Sequence, residues 1–356
     1  MIDAAFAIPG DITLPTGGYA YSRKVLDLLP DLGVRVRHVQ LPSTYPYPDH
    51  ETVEATRRIF AKLNSTIPVL VDGLAYGAMP PLMVNGIASP IAALVHHPLA
   101  YETGVKPSDK RRFIAFETHA LARAQKVIAN SEATARLLQR EYDVPADKLA
   151  IATPGTHPAQ RAQGSGSPLQ LLSVGALIPR KGYTVLIDAL AQIPHKDWRL
   201  TIVGATTHHP VYAEAVRDAI AQAGFGEQIE LTDALSDQDL NDQFLNADVF
   251  VMPSLFEGYG MVLSEAIARG LPIVCTKGGA MSETVPDDAA LKVEPGDTAA
   301  LAAAIDKLLS DSTLRRKLAD ASWNQAQKLP TWKHCTHVIA DVLKSLAKHP
   351  GTRVPD

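Results

Sequence analysis

What most constrains this chain is an alternation that runs through it twice. Short, almost continuously apolar stretches are separated by amphipathic stretches with helical spacing. In the first half the apolar runs are DAAFAI (3–8), VRVRHVQL (34–41), IPVLVDG (67–73), PIAALV (90–95), KVIANS (126–131) and IATPGT (151–156). In the second they are LQLLSVGALI (169–178), WRLTIVG (198–204), EQIELTD (227–233), DVFVMPS (248–254), PIVCTK (272–277) and LKVEPGD (291–297). Helical spacing fills the gaps, at about 19–29, 51–63, 109–124, 133–142, 183–193, 211–223, 237–247, 260–269, 297–309 and 311–328. Strands that are apolar on both faces belong in parallel sheets covered by helices, and the crossovers are right-handed. The expected class is therefore α/β, with two Rossmann-like sheets. Between the halves lies HPAQRAQGSGSP (157–168), which has no apolar periodicity and reads as a linker. The expected domains are 1–160, 161–330 and a C-terminal helix from 331, its helical pattern covering 331–349, within 331–356.

The 356 residues suffice for two domains. With 46% apolar and 20% charged residues the composition is that of a globular chain, and no apolar run reaches the roughly 18 residues of a membrane span. The opening MIDAAFAIPGD lacks a basic start, is broken by Pro9 and Gly10, and reads as a first strand rather than a signal peptide. Cys275 and Cys335 match no metal or redox spacing and are expected as buried thiols in a reducing, cytoplasmic setting. A net charge of −4 argues against nucleic acid as the main partner.

Four places carry candidate chemistry. The stretch EGYGMVLSEAIARG (257–270) follows a strand and opens a helix ending at Gly270 and Pro272. Free N–H groups at that helix start suit an anion, with Glu257 before it and Glu265 about 7 Å further along the axis. The second place is the Gly17–Gly18 pair after the first strand, which falls short of a full GxGxxG. The third is the His96–His97 doublet, at a strand end where open α/β sheets bind ligands. The fourth is PRKG, with Arg180 and Lys181 after the first strand of the second half. Lys110, Arg111 and Arg112 form a basic run that reads foremost as a solvated helix face, with an acidic acceptor or lipid headgroups as the other reading. Ser131 reads as a helix N-cap.

Two Rossmann-like halves, a linker, VGALIPRKG, the paired glutamates eight residues apart and a Trp-bearing final helix together resemble a GT-B fold retaining glycosyltransferase of the family 4 type (glycosyl transferases group 1). The likeness covers nearly the whole chain and is strongest over 169–310. It implies two domains facing each other across a cleft, the first binding the acceptor and the second a nucleoside diphosphate sugar, with the C-terminal helix crossing back to the first. It implies that Arg180 and Lys181 hold the donor diphosphate, that Glu265 binds ribose hydroxyls, and that Glu257 lies near the transferred sugar. Gly175, Leu235, Gly260, Met261 and Val262 are then donor-side positions, as are Gly17 and Gly18. His96 faces the reacting sugar; the doublet leaves open whether His97 does so instead. Asn130, Ser131 and Glu132 line the cleft, and His97, Tyr101 and Glu102 are assigned to the acceptor side. PGTHP and EGYG depart modestly from the commoner family sequences, without removing a charge the chemistry needs.

The implied reaction is sugar transfer to an acceptor hydroxyl with retention of configuration, with no cofactor beyond a UDP- or GDP-sugar co-substrate and no metal. A glycan, a small molecule or a lipid-linked acceptor all remain open, as do oligomeric state and peripheral contact with the inner face of a membrane. Two other readings share the architecture: a nucleotide-sugar epimerase, and a catalytically silent nucleotide-sugar-binding partner subunit. The second would be expected to lack Arg180, Lys181 or Glu265, and all three are present. A dehydrogenase would need the missing GxGxxG.

Overall fold

The computed structural model describes residues 1–195 and 197–348. The chain divides into two compact units: Met1–Gly155 together with the chain from Pro330 onward, and Thr156–Leu329.

Unit 1 runs β1 (Ile2–Pro9), α1 (Gly17–Leu28), β2 (Val34–Leu41), α2 (His50–Ala61), β3 (Val69–Asp72), α3 (Gly73–Tyr76), α4 (Pro81–Asn85), β4 (Ile91–Val95), α5 (Pro107–Arg123), β5 (Lys126–Ala129), α6 (Glu132–Glu141) and β6 (Leu149–Ile151). All six strands are parallel, in the order β2-β1-β3-β4-β5-β6. Its core is built from both faces of the sheet, with Ala5, Phe6, Val69, Leu70, Ala93 and Leu94 fully enclosed, which is why these strands read as unbroken apolar runs. Successive connections run one way from β1 to β2 and the other way through β3, β4 and β5. The connections leaving the carboxyl ends of β1 and β3 therefore diverge, and open α/β sheets bind ligands at such a point.

Unit 2 runs β7 (Leu169–Val174), α7 (Tyr183–Ala191), β8 (Trp198–Val203), α8 (Pro210–Gln222), β9 (Ile229–Thr232), α9 (Asp237–Asn246), β10 (Val249–Met252), α10 (Met261–Ala268), β11 (Ile273–Thr276), α11 (Met281–Thr284), β12 (Ala290–Val293), α12 (Thr298–Ser310) and α13 (Ser312–Ala326). Its six parallel strands lie in the order β12-β11-β10-β7-β8-β9. Here the divergence falls between β7 and β10. The two sheets with their helices are the expected pair of Rossmann-like units.

α14 (Trp332–Lys348) belongs to unit 1, where it packs on α1 and meets β1, β2, β4 and β6. The expected end of this helix, His349, lies outside the described residues. Trp332 lies against Tyr21 of α1 at 5.6 Å between ring centroids, and the Cys335 thiol meets the Tyr21 hydroxyl at 3.2 Å. Cys275 and Cys335 are both buried free thiols.

Two local expectations change. Of the strand and turn expected over 151–156, the strand lies earlier, as β6 (Leu149–Ile151). The Ala152 amide makes the last bond to β5, to the Ala129 carbonyl at 2.9 Å, and Pro154 has no N–H with which to continue the ladder. The stretch 157–168 has no helix or strand, as expected, but it is fastened to unit 2 rather than hanging free. The Ala162 and Gln163 amides bond the Arg269 and Leu245 carbonyls at 2.8 and 3.0 Å, and the Ser165 hydroxyl bonds Asp248 at 2.8 Å.

Candidate active site

In unit 2 the divergence of β7 and β10 brings together residues 76 positions apart. After β7 the chain makes a tight 3-10 turn, Pro179–Lys181, closed by Gly182 at φ 68°. A Cβ on Gly182 would stand 2.3 Å from the Pro253 carbonyl oxygen, so only glycine lets this turn lie against the end of β10. The Leu255 amide bonds the Arg180 carbonyl at 2.7 Å, fastening one loop to the other. The Arg180 guanidinium donates to the Phe256 carbonyl at 2.7 Å and stands 3.0 Å from Glu257 Oε1, and Lys181 Nζ reaches the same oxygen at 2.8 Å. All three side chains are nine-tenths or nearly so enclosed. Burial pushes the Glu257 carboxyl up, but Arg180 and Lys181 overcome it and hold the group down at about 2. The loop is pinned from the far side as well, where the Ala280 amide donates to the Glu257 carbonyl at 2.8 Å.

α10 begins directly after this cluster. Gly260 caps it at φ 87°, a conformation that side chains with a Cβ rarely adopt. The amides of Met261 and Val262 occupy the first turn, where N–H groups have no partner inside the helix. Glu265 sits one turn further on, half-buried. Burial lifts its carboxyl to about 7, with Arg269 opposing and Asp237 adding to the rise. Arg269 donates to the Glu265 carbonyl at 3.1 Å and to Asn241 at 2.9 Å, and lies 4.6 Å over the Phe244 ring. Gly175 follows the last residue of β7, and the Tyr183 hydroxyl bonds its carbonyl at 2.7 Å. The partly buried side chains of Leu235 and Val262 pack on the second core of the unit.

In unit 1 the Gly17–Gly18 pair opens α1 behind the Thr16 cap. A Cβ on Gly18 would lie 3.8 Å from His96 Nε2, so the glycine backbone passes directly over that imidazole. His96 meets the Tyr21 ring edge-on at 5.1 Å, and its Nε2 lies 3.9 Å from Asp72 Oδ2. His97 turns elsewhere and meets Glu102 at 3.3 Å. The Tyr101 hydroxyl bonds Glu141 on α6. Of the residues at the end of β5, Asn130 is buried, Ser131 Oγ accepts the Thr134 amide at 3.0 Å as the α6 cap, and Glu132 is exposed. The basic run divides: Arg112 pairs with Asp109 and lies 5.8 Å over Tyr47, while Lys110 lies 5.8 Å over Tyr101.

Sequence reasoning missed Asp72, Tyr21 and Glu117. Asp72 carried a signal, an acid closing an apolar strand just before a glycine. Tyr21 carried only an aromatic on a helix face. Glu117, buried on α5 with its Oε2 accepting the Leu99 amide at 3.1 Å, looks in the sequence like any helical glutamate. Among the described residues no three His, Cys, Asp or Glu side chains gather as metal ligands, and no helix is long and apolar enough to cross a membrane. A cavity of about 230 Å³ lined by Gln170, Thr201, Gln243 and Asn246 lies at the opposite, amino edge of the unit 2 sheet.

This arrangement of sheets and loops is that of the GT-B glycosyltransferases. It superimposes on sucrose-phosphate synthase from Thermosynechococcus elongatus with a TM-score of 0.82 at 20% identity, over 97% of this chain and 99% of that one. It also superimposes on Anabaena HepE in complex with UDP-glucose, with a TM-score of 0.76 at 17% identity, over 96% and 99%. The family model for glycosyl transferases group 1 matches residues 159–325, and that for glycosyltransferase family 4 matches residues 20–160. The chain belongs to the group 1, family 4 type of glycosyltransferases. Among curated relatives, the MMP alpha-(1->4)-mannosyltransferase of Mycolicibacterium hassiacum is 26% identical over 85% of this chain and 77% of its own length. A D-inositol 3-phosphate glycosyltransferase of Pseudarthrobacter chlorophenolicus is 28% identical over 72% of this chain, a match spanning 64% of that enzyme, less than two thirds of it.

Proposed function

We propose that the chain transfers a sugar from a nucleoside diphosphate sugar, UDP- or GDP-linked, to an acceptor hydroxyl, with retention of configuration and without a resident metal. The observation that carries this reading is the Arg180–Lys181–Glu257 cluster at the diverging strand ends of unit 2, beside the start of α10. A diphosphate leaving group gathers negative charge as the glycosidic bond breaks. Two cations and the free amides of Met261 and Val262 answer that charge in a site already shielded from water, which is the work a divalent ion does in other transferases. Because Glu257 remains ionised, it holds both cations in place before the diphosphate arrives. In this scheme Glu265 accepts the ribose hydroxyls, Gly175 and Gly260 let backbone approach the phosphates, and the Leu235 backbone lies beside the base. Gly17 and Gly18 are assigned to phosphate and acceptor, His96 to the transferred sugar, and His97, Glu102 and Tyr101 to the acceptor side. No side chain is assigned as nucleophile; the departing phosphate oxygen takes the acceptor proton on the same face. HepE, a fold relative, is described with UDP-glucose, which supports a nucleotide-sugar donor. The acceptor is a glycan, a small molecule or a lipid-linked sugar.

A thermal-shift screen against UDP-, GDP- and ADP-sugars, followed by product analysis with the best donor, tests the reading. One nucleotide class is expected to raise the melting temperature. Glu265→Ala is expected to weaken that donor about tenfold or more, the loss of hydrogen bonds to ribose, with the fold intact. Conversion of the nucleotide sugar without any acceptor would favour the epimerase reading. No shift with any nucleotide sugar, or an unchanged donor affinity in Glu265→Ala, would count against the assignment.

A further inference from the structure

We propose that Asp72 is a positioning residue for His96: it holds the imidazole proton on Nε2, so that Nδ1 meets substrate as a hydrogen-bond acceptor. The substrate part rests on the transferase reading; the placement of the proton does not.

Asp72 closes β3 and His96 follows β4, and the register pairs Asp72 with Leu94, so the two side chains leave neighbouring strand ends beside the sheet's β1–β3 divergence. Asp72 is buried at 4% exposure. Its Oδ1 accepts the Leu74 amide at 2.8 Å, capping α3, and this fixes the carboxyl plane with Oδ2 turned to His96 Nε2, 3.9 Å away. Nε2 is sealed from solvent and has no hydrogen-bond partner. The neighbouring hydroxyls are committed elsewhere: Tyr21 donates to the Ala152 carbonyl at 2.9 Å, and Tyr19 to the Pro9 carbonyl at 2.7 Å. Gly18 covers the Cδ2–Nε2 edge and the Tyr21 ring stands edge-on against the imidazole. Nε2 therefore faces a carboxyl group and nothing else that can bond it, and Nδ1 is the nitrogen left for a ligand.

A neutral imidazole has one donor and one acceptor nitrogen, and the hydrogen bond made by one sets the role of the other. Burial favours the neutral ring, against an opposing pull from Asp72; burial also raises the Asp72 pKa, against the pulls of His96, the Leu74 amide and His97. A distance of 3.9 Å exceeds a direct bond, and the proposal has the two groups draw together when substrate is bound. Bonds of this kind are commonly long until substrate engages.

The test uses the full-length protein with ¹⁵N-labelled histidine and long-range ¹H–¹⁵N spectra, His96 being assigned by its absence in His96→Gln. Wild type is expected to show Nε2 protonated and Nδ1 bare. In Asp72→Asn the amide oxygen keeps the Leu74 cap, since Asn caps helices as well as Asp does. Its NH₂ then faces Nε2, which must become the acceptor, and the tautomer inverts. Turnover of UDP-glucose, the probe substrate, should then fall about tenfold or more, the equivalent of one lost hydrogen bond, with an unchanged far-UV spectrum. A wild-type ring protonated on Nδ1, or a tautomer indifferent to Asp72→Asn, overturns the proposal. An inverted tautomer with no turnover of any UDP-, GDP- or ADP-sugar in wild type upholds the Asp72–His96 coupling and counts against the transferase reading instead.

Discussion

At the scale of single residues, the sharpest feature is the asymmetry of the cluster around Glu257. One buried carboxylate oxygen takes two cations, at 3.0 and 2.8 Å. Removing the acid takes the shared carboxylate from two buried cations at once, whereas removing one cation leaves the acid still paired. Breaking a buried pair from the uncompensated side costs about 3–5 kcal/mol. Glu257→Ala is therefore expected to destabilise the protein by several kcal/mol and Lys181→Ala by clearly less, as read by urea denaturation. Equal losses would mean that the cations are not held by Glu257. The sign of the pH effect follows from the depressed carboxyl: the stability it provides is complete above its unfolded value near 4.5 and is lost as pH falls towards 2. None of this was visible in spacing. PRKG and EGYG could each be read as a motif, yet that the motifs touch follows only from the strand order, which places β7 beside β10.

Among the elements, α5 deserves a role that its sequence does not announce. Glu117 is buried on this helix, and a Cβ on Gly77 would come within 3.0 Å of its Oε1, so the turn after α3 is shaped around it. Its other oxygen holds the Leu99 amide, in the loop that continues from His96 and His97. Burial lifts the carboxyl to about 8, with the Leu99 amide and Tyr142 opposing. The folded chain thus keeps a proton that the unfolded chain releases above about 4.5, so stability falls as pH rises from there to about 8. Glu117→Gln mimics the protonated acid and removes that slope. Its stability relative to wild type should be near zero at pH 4.5 and rise by pH 8, by an amount on the order of 4–5 kcal/mol at 1.36 kcal/mol per unit. Melting curves at the two pH values check this, and an equal difference at both would show that Glu117 is ionised in the fold. Elements of ordinary length were legible from their patterns, because buried parallel strands are apolar on both faces and their helices on one. α3, α4 and α11 were not, since four or five residues are too few to show a period. The end of the first sheet was misread because Ile151 and Ala152 continue an apolar run into Pro154, whose missing N–H stops the ladder.

For the whole molecule, the same architecture occurs twice, and in each unit the candidate groups gather where strand order reverses. In unit 1 these are Asp72, His96 and Gly18; in unit 2, Arg180, Lys181 and Glu257. That placement follows from topology more than from any single motif, which explains why motifs that are weak one by one became informative in series. Side-chain pairings such as His97 with Glu102 needed three dimensions. In the proposed function the strand ends of unit 2 bind a nucleoside diphosphate through protein cations. Calorimetric titration in EDTA tests it most directly, comparing the nucleoside diphosphate of the best donor with its monophosphate, in wild type and in the Arg180→Ala, Lys181→Ala double variant. Wild type is expected to bind the diphosphate more tightly by about tenfold or more, without metal, and the double variant to lose this preference. Equal binding of the two nucleotides by wild type, or a preference undiminished in the variant, would contradict it.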